Sequence, residues 1–82
     1  MAGHLLPFQG PASEHTLWTL TKAGQRCDAT ARMTEAGLLE LRIAIDGELC
    51  WSHAYRVALG DEAMVAAEQK REEYIAKGWA VP

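Results

Sequence analysis

From Thr16 onward the chain alternates apolar and polar residues with a period of two, the pattern of strands that bury one face. Trp18 and Leu20 alternate with Thr19 and Thr21, and Lys22-Ala23-Gly24-Gln25 turns the chain. Positions 26–34 alternate without a fault, the odd ones apolar and the even ones polar, and Glu35-Ala36-Gly37 turns the chain again. Leu39, Leu41, Ile43 and Ile45 then alternate with Glu40, Arg42, Ala44 and Asp46. After the hairpin signal Asp46-Gly47, a fourth segment sets Leu49, Trp51, His53, Tyr55 and Val57 on one face. Glu48, Cys50, Ser52, Ala54 and Arg56 fall on the other.

Two registers are open at the third turn. A two-residue turn at Asp46-Gly47 pairs Ile45 with Glu48 and splits the apolar sets between the faces. A three-residue loop, Ile45-Asp46-Gly47 with a bulge glycine, pairs Ala44 with Glu48. It also brings Ile43 to Leu49, Leu41 to Trp51 and Leu39 to His53. A one-residue slip moves every side chain to the other face, so the pattern favours the three-residue loop. The second turn is expected to set Thr34 opposite Leu38, with Gly37 left-handed.

At Gly60 the period becomes 3.6. The spacing predicts a helix over 62–77 with Asp61 as N-cap. Gly78 is then the left-handed residue after the helix, and Trp79 is expected to pack back on Tyr74. Ala63, Met64, Ala67, Tyr74 and Ile75 make the apolar arc, with Arg71 at its centre. Residues 1–14 carry Pro, Gly and no period. They read as an irregular arm whose Leu5, Leu6 and Phe8 are free to dock, leaving 15–82 as one domain. The fold class is therefore α+β: a four-stranded antiparallel meander with one C-terminal helix packed on one face.

Widths then matter. Four strands make a sheet about 19 Å across, and a helix with its side chains covers only about 10–12 Å. The small residues Cys27, Ala29 and Ala31 mark the line of closest approach. Trp18 on one side and Trp51 and Tyr55 on the other are expected to flank the helix as walls. The arm, the Trp79 tail, a second copy of the chain or a ligand must complete the cover.

Length and charge narrow the function classes. The chain has 82 residues and a net charge of −3. A chain of that size is one domain and too short for a dinucleotide-binding or barrel enzyme. The negative balance makes nucleic acid an unfavoured partner. No run of apolar residues is long enough to cross a membrane, and the start lacks the charged and apolar regions of a signal peptide. The two cysteines suit a reducing compartment, so the expected location is the cytoplasm.

Few residues suggest chemistry. Arg71, within an apolar arc, is read as packing its stem while its guanidinium escapes to the rim or pairs with Glu68. The alternatives are stacking on Trp18 or Trp51, or receiving an anion in the groove. His53 is expected to be a hydrogen-bonded core residue. Cys50 and His53 have metal-ligand spacing, but on a strand they face opposite sides and cannot share an ion. Cys27 and Cys50 are likewise expected on opposite faces and unpaired. No cofactor or catalytic site is evident. The outer face carries Arg26, Arg32, Arg42 and Arg56 among Asp28, Glu40 and Glu48, with Arg32 expected opposite Glu40.

Leu17-Trp18-Thr19-Leu20, the Asp46-Gly47-Glu48-Leu49 hairpin, and 67–71 leading to Lys77-Gly78-Trp79 together resemble short bacterial proteins of unassigned function. The resemblance covers residues 16–79. It implies the strand–strand–strand–strand–helix order and carries no functional residues. The expected function is a small soluble interaction or regulatory module whose partner is another protein or a second copy, forming a homodimer. Its candidate contact residues are Trp18, Trp51, Tyr55 and Arg71. The alternative is nucleic-acid binding on the arginine-bearing face, and the third reading is a small enzyme or ligand-binding protein using the groove beside the helix.

Overall fold

The computed structural model describes residues 14–82. The expected arm lies outside the described residues except for Glu14, which opens the first strand. Four strands, β1 (Glu14–Lys22), β2 (Gln25–Met33), β3 (Leu38–Ile45) and β4 (Glu48–Arg56), form one antiparallel sheet in the order β1-β2-β3-β4. A 3-10 turn (Val57–Leu59) leads into helix α1 (Gly60–Ala76). The α+β architecture expected from the periodicity is the one formed. No helix among the described residues is long and apolar enough to cross a membrane.

The turn chemistry explains the meander, with one correction. Thr34 N–H donates to the Leu38 carbonyl at 2.8 Å and Gly37 takes φ +80°, as expected. At the third turn the two-residue form wins: Asp46 and Gly47 have φ +51° and +83°, and Ile45 pairs with Glu48. Two successive left-handed residues give the backbone twist that matches paired strands, and glycine takes the second at no steric cost. Asp46 is held there from the neighbouring strand. Its N–H donates to the Arg26 carbonyl at 2.8 Å, and its carboxylate accepts from the Arg26 N–H at 3.0 Å.

The parity this turn upsets is restored further along the strand. Ala44 pairs with Leu49, but Ile43 pairs with Trp51, so Cys50 is the extra residue of a bulge. Beyond it Leu41 faces His53 and Leu39 faces Tyr55. Trp51 thus shares the face of Leu41 and Ile43, as the apolar pattern demands, but through a bulge within β4 rather than a longer loop. Leu49 does not join that face: it lies opposite Ala44 and is 47% exposed. Val57 has left the strand altogether. A second bulge, at Leu17 in β1, lets Leu17 pack against both groups of buried residues.

The helix begins differently from the expectation and ends as expected. Asp61 is not the N-cap; it sits with Glu62 inside the first turn, where carboxylates favour the positive end of the helix. The 3-10 turn makes a side-chain cap dispensable there, because the Gly60 N–H donates to the Val57 carbonyl. At the other end Gly78 takes φ +100°. Trp79 N–H donates to the Tyr74 carbonyl and Gly78 N–H to the Ile75 carbonyl, both at 3.0 Å, the paired bonds of a Schellman motif. The Tyr74 and Trp79 rings meet edge to face at 6.0 Å.

The core sits between the helix and the middle of the sheet. Leu20, Cys27, Ala29, Ala31, Leu39, Leu41 and Ile43 are buried from the sheet, Ala63 and Ala67 from the helix, and Trp79 from the tail. Ala31 packs with Leu39 and Ala63, while Ala29 packs with Leu20, Cys27, Ile43 and Trp79. Met64 and Ile75, expected in the buried arc, are 37% and 39% exposed.

Candidate functional site: the open side of the sheet

The helix packs across the sheet against β1, β3 and β4, and its second half and the tail are tied to β1. On the β1 side the Trp18 indole N–H donates to the Ala67 carbonyl at 2.9 Å, and the Trp18 and Tyr74 rings lie 6.2 Å apart. Lys22 Nζ donates to the Lys77 carbonyl at 2.6 Å. Thr21 and Ala80 exchange two backbone bonds of 2.8 Å, so the tail pairs with the β1 edge. Trp18 is therefore no wall of an open groove but an anchor of the helix.

The β4 side is where cover runs out. Trp51, His53 and Tyr55 occupy alternate positions of β4, on the face of the helix. Trp51 and His53 stack at 6.3 Å with 14° between their planes, and His53 meets Tyr55 edge to face at 4.7 Å. Trp51 and Tyr55 are half-buried, while His53 is exposed. The expectation of a core histidine is thus corrected: His53 is exposed, the middle rung of an aromatic ladder whose outer rungs are half-buried.

Arg71 does not reach the tryptophans. Its guanidinium pairs with Glu68 at 3.6 Å, one of the two surface outcomes expected of it. The cation on the ladder is Lys70, whose Nζ lies 4.7 Å from the centroid of Trp51. Lys70 also pairs with Glu73 at 3.6 Å. The spacing Ala63, Ala67, Lys70, Tyr74 was the available signal for it. That run of steps of four, three and four residues marks one helix face.

Beyond the ladder, β4 is an edge strand. Nothing among the described residues pairs with its far side, whereas the β1 edge meets the tail. Between Glu48 and Arg56 it carries no acidic residue, no Lys, no Arg and no Pro. Edge strands are ordinarily blunted by such residues or covered.

The outer face is partly neutralised. Arg32 Nε meets Glu40 Oε1 at 2.7 Å across β2 and β3, as expected, and Arg26 Nε meets Asp28 Oδ1 at 3.0 Å along β2. Burial alone would raise the Asp28 carboxyl, but the hydrogen bonds from Thr19 and Arg26 and the Arg26 charge outweigh it and hold the group below the usual carboxylate range. Glu48 lies opposite Ile45 and leaves this set. Arg42 and Arg56 lie opposite Ser52 and Leu38, with no ion pair among the described residues.

Both cysteines are free, Cys27 buried and Cys50 exposed. Burial, with Cys50 and Asp28 nearby, pushes the Cys27 thiol up to about 11, so it stays protonated and unreactive. Among the described residues no three His, Cys, Asp or Glu side chains gather to hold a metal ion. Protein-family models, curated proteins and solved structures were all compared with the chain, and none of them matches it.

Proposed function

We propose that the protein is a small interaction module, regulatory rather than catalytic, that binds protein through the β4 side of its sheet. One observation carries this reading: an edge strand, unpaired among the described residues and without an acidic residue, Lys or Arg between Glu48 and Arg56, that bears an aromatic ladder with an exposed middle rung. Backbone groups along such an edge bind an added strand, and alternate side chains supply selectivity. Aromatic rings with an apolar body and a polar tip are the residues that interfaces favour. The two free cysteines agree with a reducing compartment, the cytoplasm.

The test is site-specific photocrosslinking in the native cell. A photoreactive phenylalanine derivative replaces His53 in one variant and Glu72, on the exposed helix face, in another. Discrete protein adducts at position 53 and none at 72 are expected. Equal labelling at both sites, or none at 53, overturns the reading.

A second reading, nucleic-acid binding on the outer face, draws on Arg42 and Arg56, which have no ion pair among the described residues. No described aromatic side chain on that face offers bases a stacking surface, and the net charge of −3 opposes it. Sub-micromolar binding of single-stranded RNA or DNA that weakens steeply with salt would put this reading first.

A further inference from the structure

We infer that residues 57–66, the 3-10 turn and the first turns of α1, form a lid that lifts off one end of the sheet while the rest of the helix stays in place. This goes beyond the interaction reading and does not depend on it.

The first argument is what holds the segment down. From 57 to 66 only Gly60, Ala63 and Ala66 are buried or half-buried, so no side chain larger than a methyl group is tucked in. The large apolar side chains of the segment, Val57, Leu59, Met64 and Val65, are all exposed. Ala63 alone joins the core, packing with Ala31 and Leu39. One buried methyl group removes little apolar surface from water. The helix start has no side-chain cap, and the Gly60 N–H bond to the Val57 carbonyl lies within the segment. Glycine in the first turn weakens the helix further.

The second argument is the contrast with the rest of the helix. The Trp18 indole bonds the Ala67 carbonyl, the Tyr74 ring meets both Trp18 and Trp79, and Lys22 bonds the Lys77 carbonyl. Regions of a fold open with free energies that follow their buried contacts, so the two halves of the helix open separately. Arg56, at the end of β4, and Ala67 stay in place. The segment therefore unwinds and rises as a loop between two tied ends.

The third argument is what lies beneath. Leu39 pairs with Tyr55, the last ring of the ladder, on one side and with Met33 on the other. Lifting the segment uncovers Ala31 and Leu39, and the apolar surface then runs from Tyr55 on β4 across β3 to β2. The lid governs how much of the inner face the protein presents.

The experiment compares two alanines of β2. Ala29 and Ala31 are both 0% exposed, two positions apart on one face, but Ala31 packs with Ala63 while Ala29 packs with Trp79. Each is changed to cysteine in a chain that also carries Cys27→Ala and Cys50→Ser, and alkylation by iodoacetamide is timed in native buffer. The thiol at 31 should react at least about tenfold faster than the thiol at 29. Equal rates, or a faster reaction at 29, overturn the lid, because fraying of the first turn alone does not uncover position 31.

Hydrogen exchange of the unmodified chain gives a second reading that needs no variant to fold. Amides 64–66, bonded within the helix, should be protected at least about tenfold less than amides 71–75. Equal protection of the two stretches overturns the lid.

Discussion

The two halves of the sheet start from similar materials and end differently. Each offers the helix a tryptophan on the inner face, Trp18 on β1 and Trp51 on β4. On the β1 side the indole bonds a helix carbonyl, the tail pairs with the strand, and Trp79 closes the core at 8% exposure. On the β4 side Trp51 receives a lysine, and His53 faces solvent. Hydrogen bonds tie the helix and the chain end to β1, whereas the β4 side offers a ladder of rings whose middle member is exposed.

The largest expected effect lies on the closed side. Trp79→Ala should cost ~3–5 kcal/mol in urea unfolding, the range for deleting a buried large aromatic, against no more than ~1.5 kcal/mol for Trp51→Ala. Equal losses would mean that the two sides are equally closed and would end the comparison. Next is Gly78→Ala. At φ +100° any L side chain is strained, and a Cβ there would lie 3.4 Å from the Lys22 side chain. A loss of ~1–2 kcal/mol in thermal unfolding is expected.

Trp18→Phe keeps a ring and removes the indole N–H. It should cost about 1 kcal/mol, and it should let the helix shift, seen as shift changes of the 51, 53 and 55 amides in heteronuclear NMR spectra. Unmoved resonances there would show that the indole bond does not set the helix position.

The smallest effect is electrostatic. A carboxyl held below its ordinary range stabilises the fold at pH values above its unfolded value, and that contribution is lost as pH falls through the folded value. Asp28→Asn should therefore flatten the acid limb of stability against pH. An unchanged limb would remove Thr19 and Arg26 from the account of the β1 side.

What the sequence made legible was local. Gly37 and Gly78 could be placed because a turn or a helix end depends on a few adjacent residues, and the contact of Trp79 with Tyr74 followed from the same motif. Face parity was legible too, since it needs only a period of two. The bulge at Cys50 was not, because an extra residue in the turn and one in the strand restore the same parity. The choice fell to Asp46 bonding Arg26 on a neighbouring strand. Lys70 was passed over for Arg71 because a helical wheel separates neighbours coarsely while the helix rotation is fixed by packing. One such packing contact is the Trp18 bond to Ala67, 49 residues away along the chain, which no local pattern encodes.

The bonds between β1 and the end of the chain also have a kinetic meaning. Every strand pairing joins neighbours in sequence across a short turn, so the meander can zip up from local closures. Thr21 with Ala80 and Lys22 with Lys77 instead clasp the first strand to the segment that follows the helix. The clasp needs sheet and helix in place, so it closes after the folding barrier and opens before it on the way out. Its interactions should accordingly show low φ-values. In a chevron, Trp79→Ala should raise the unfolding arm and leave the folding arm nearly where it was, so that this end of the chain governs how long the fold lasts rather than how fast it forms.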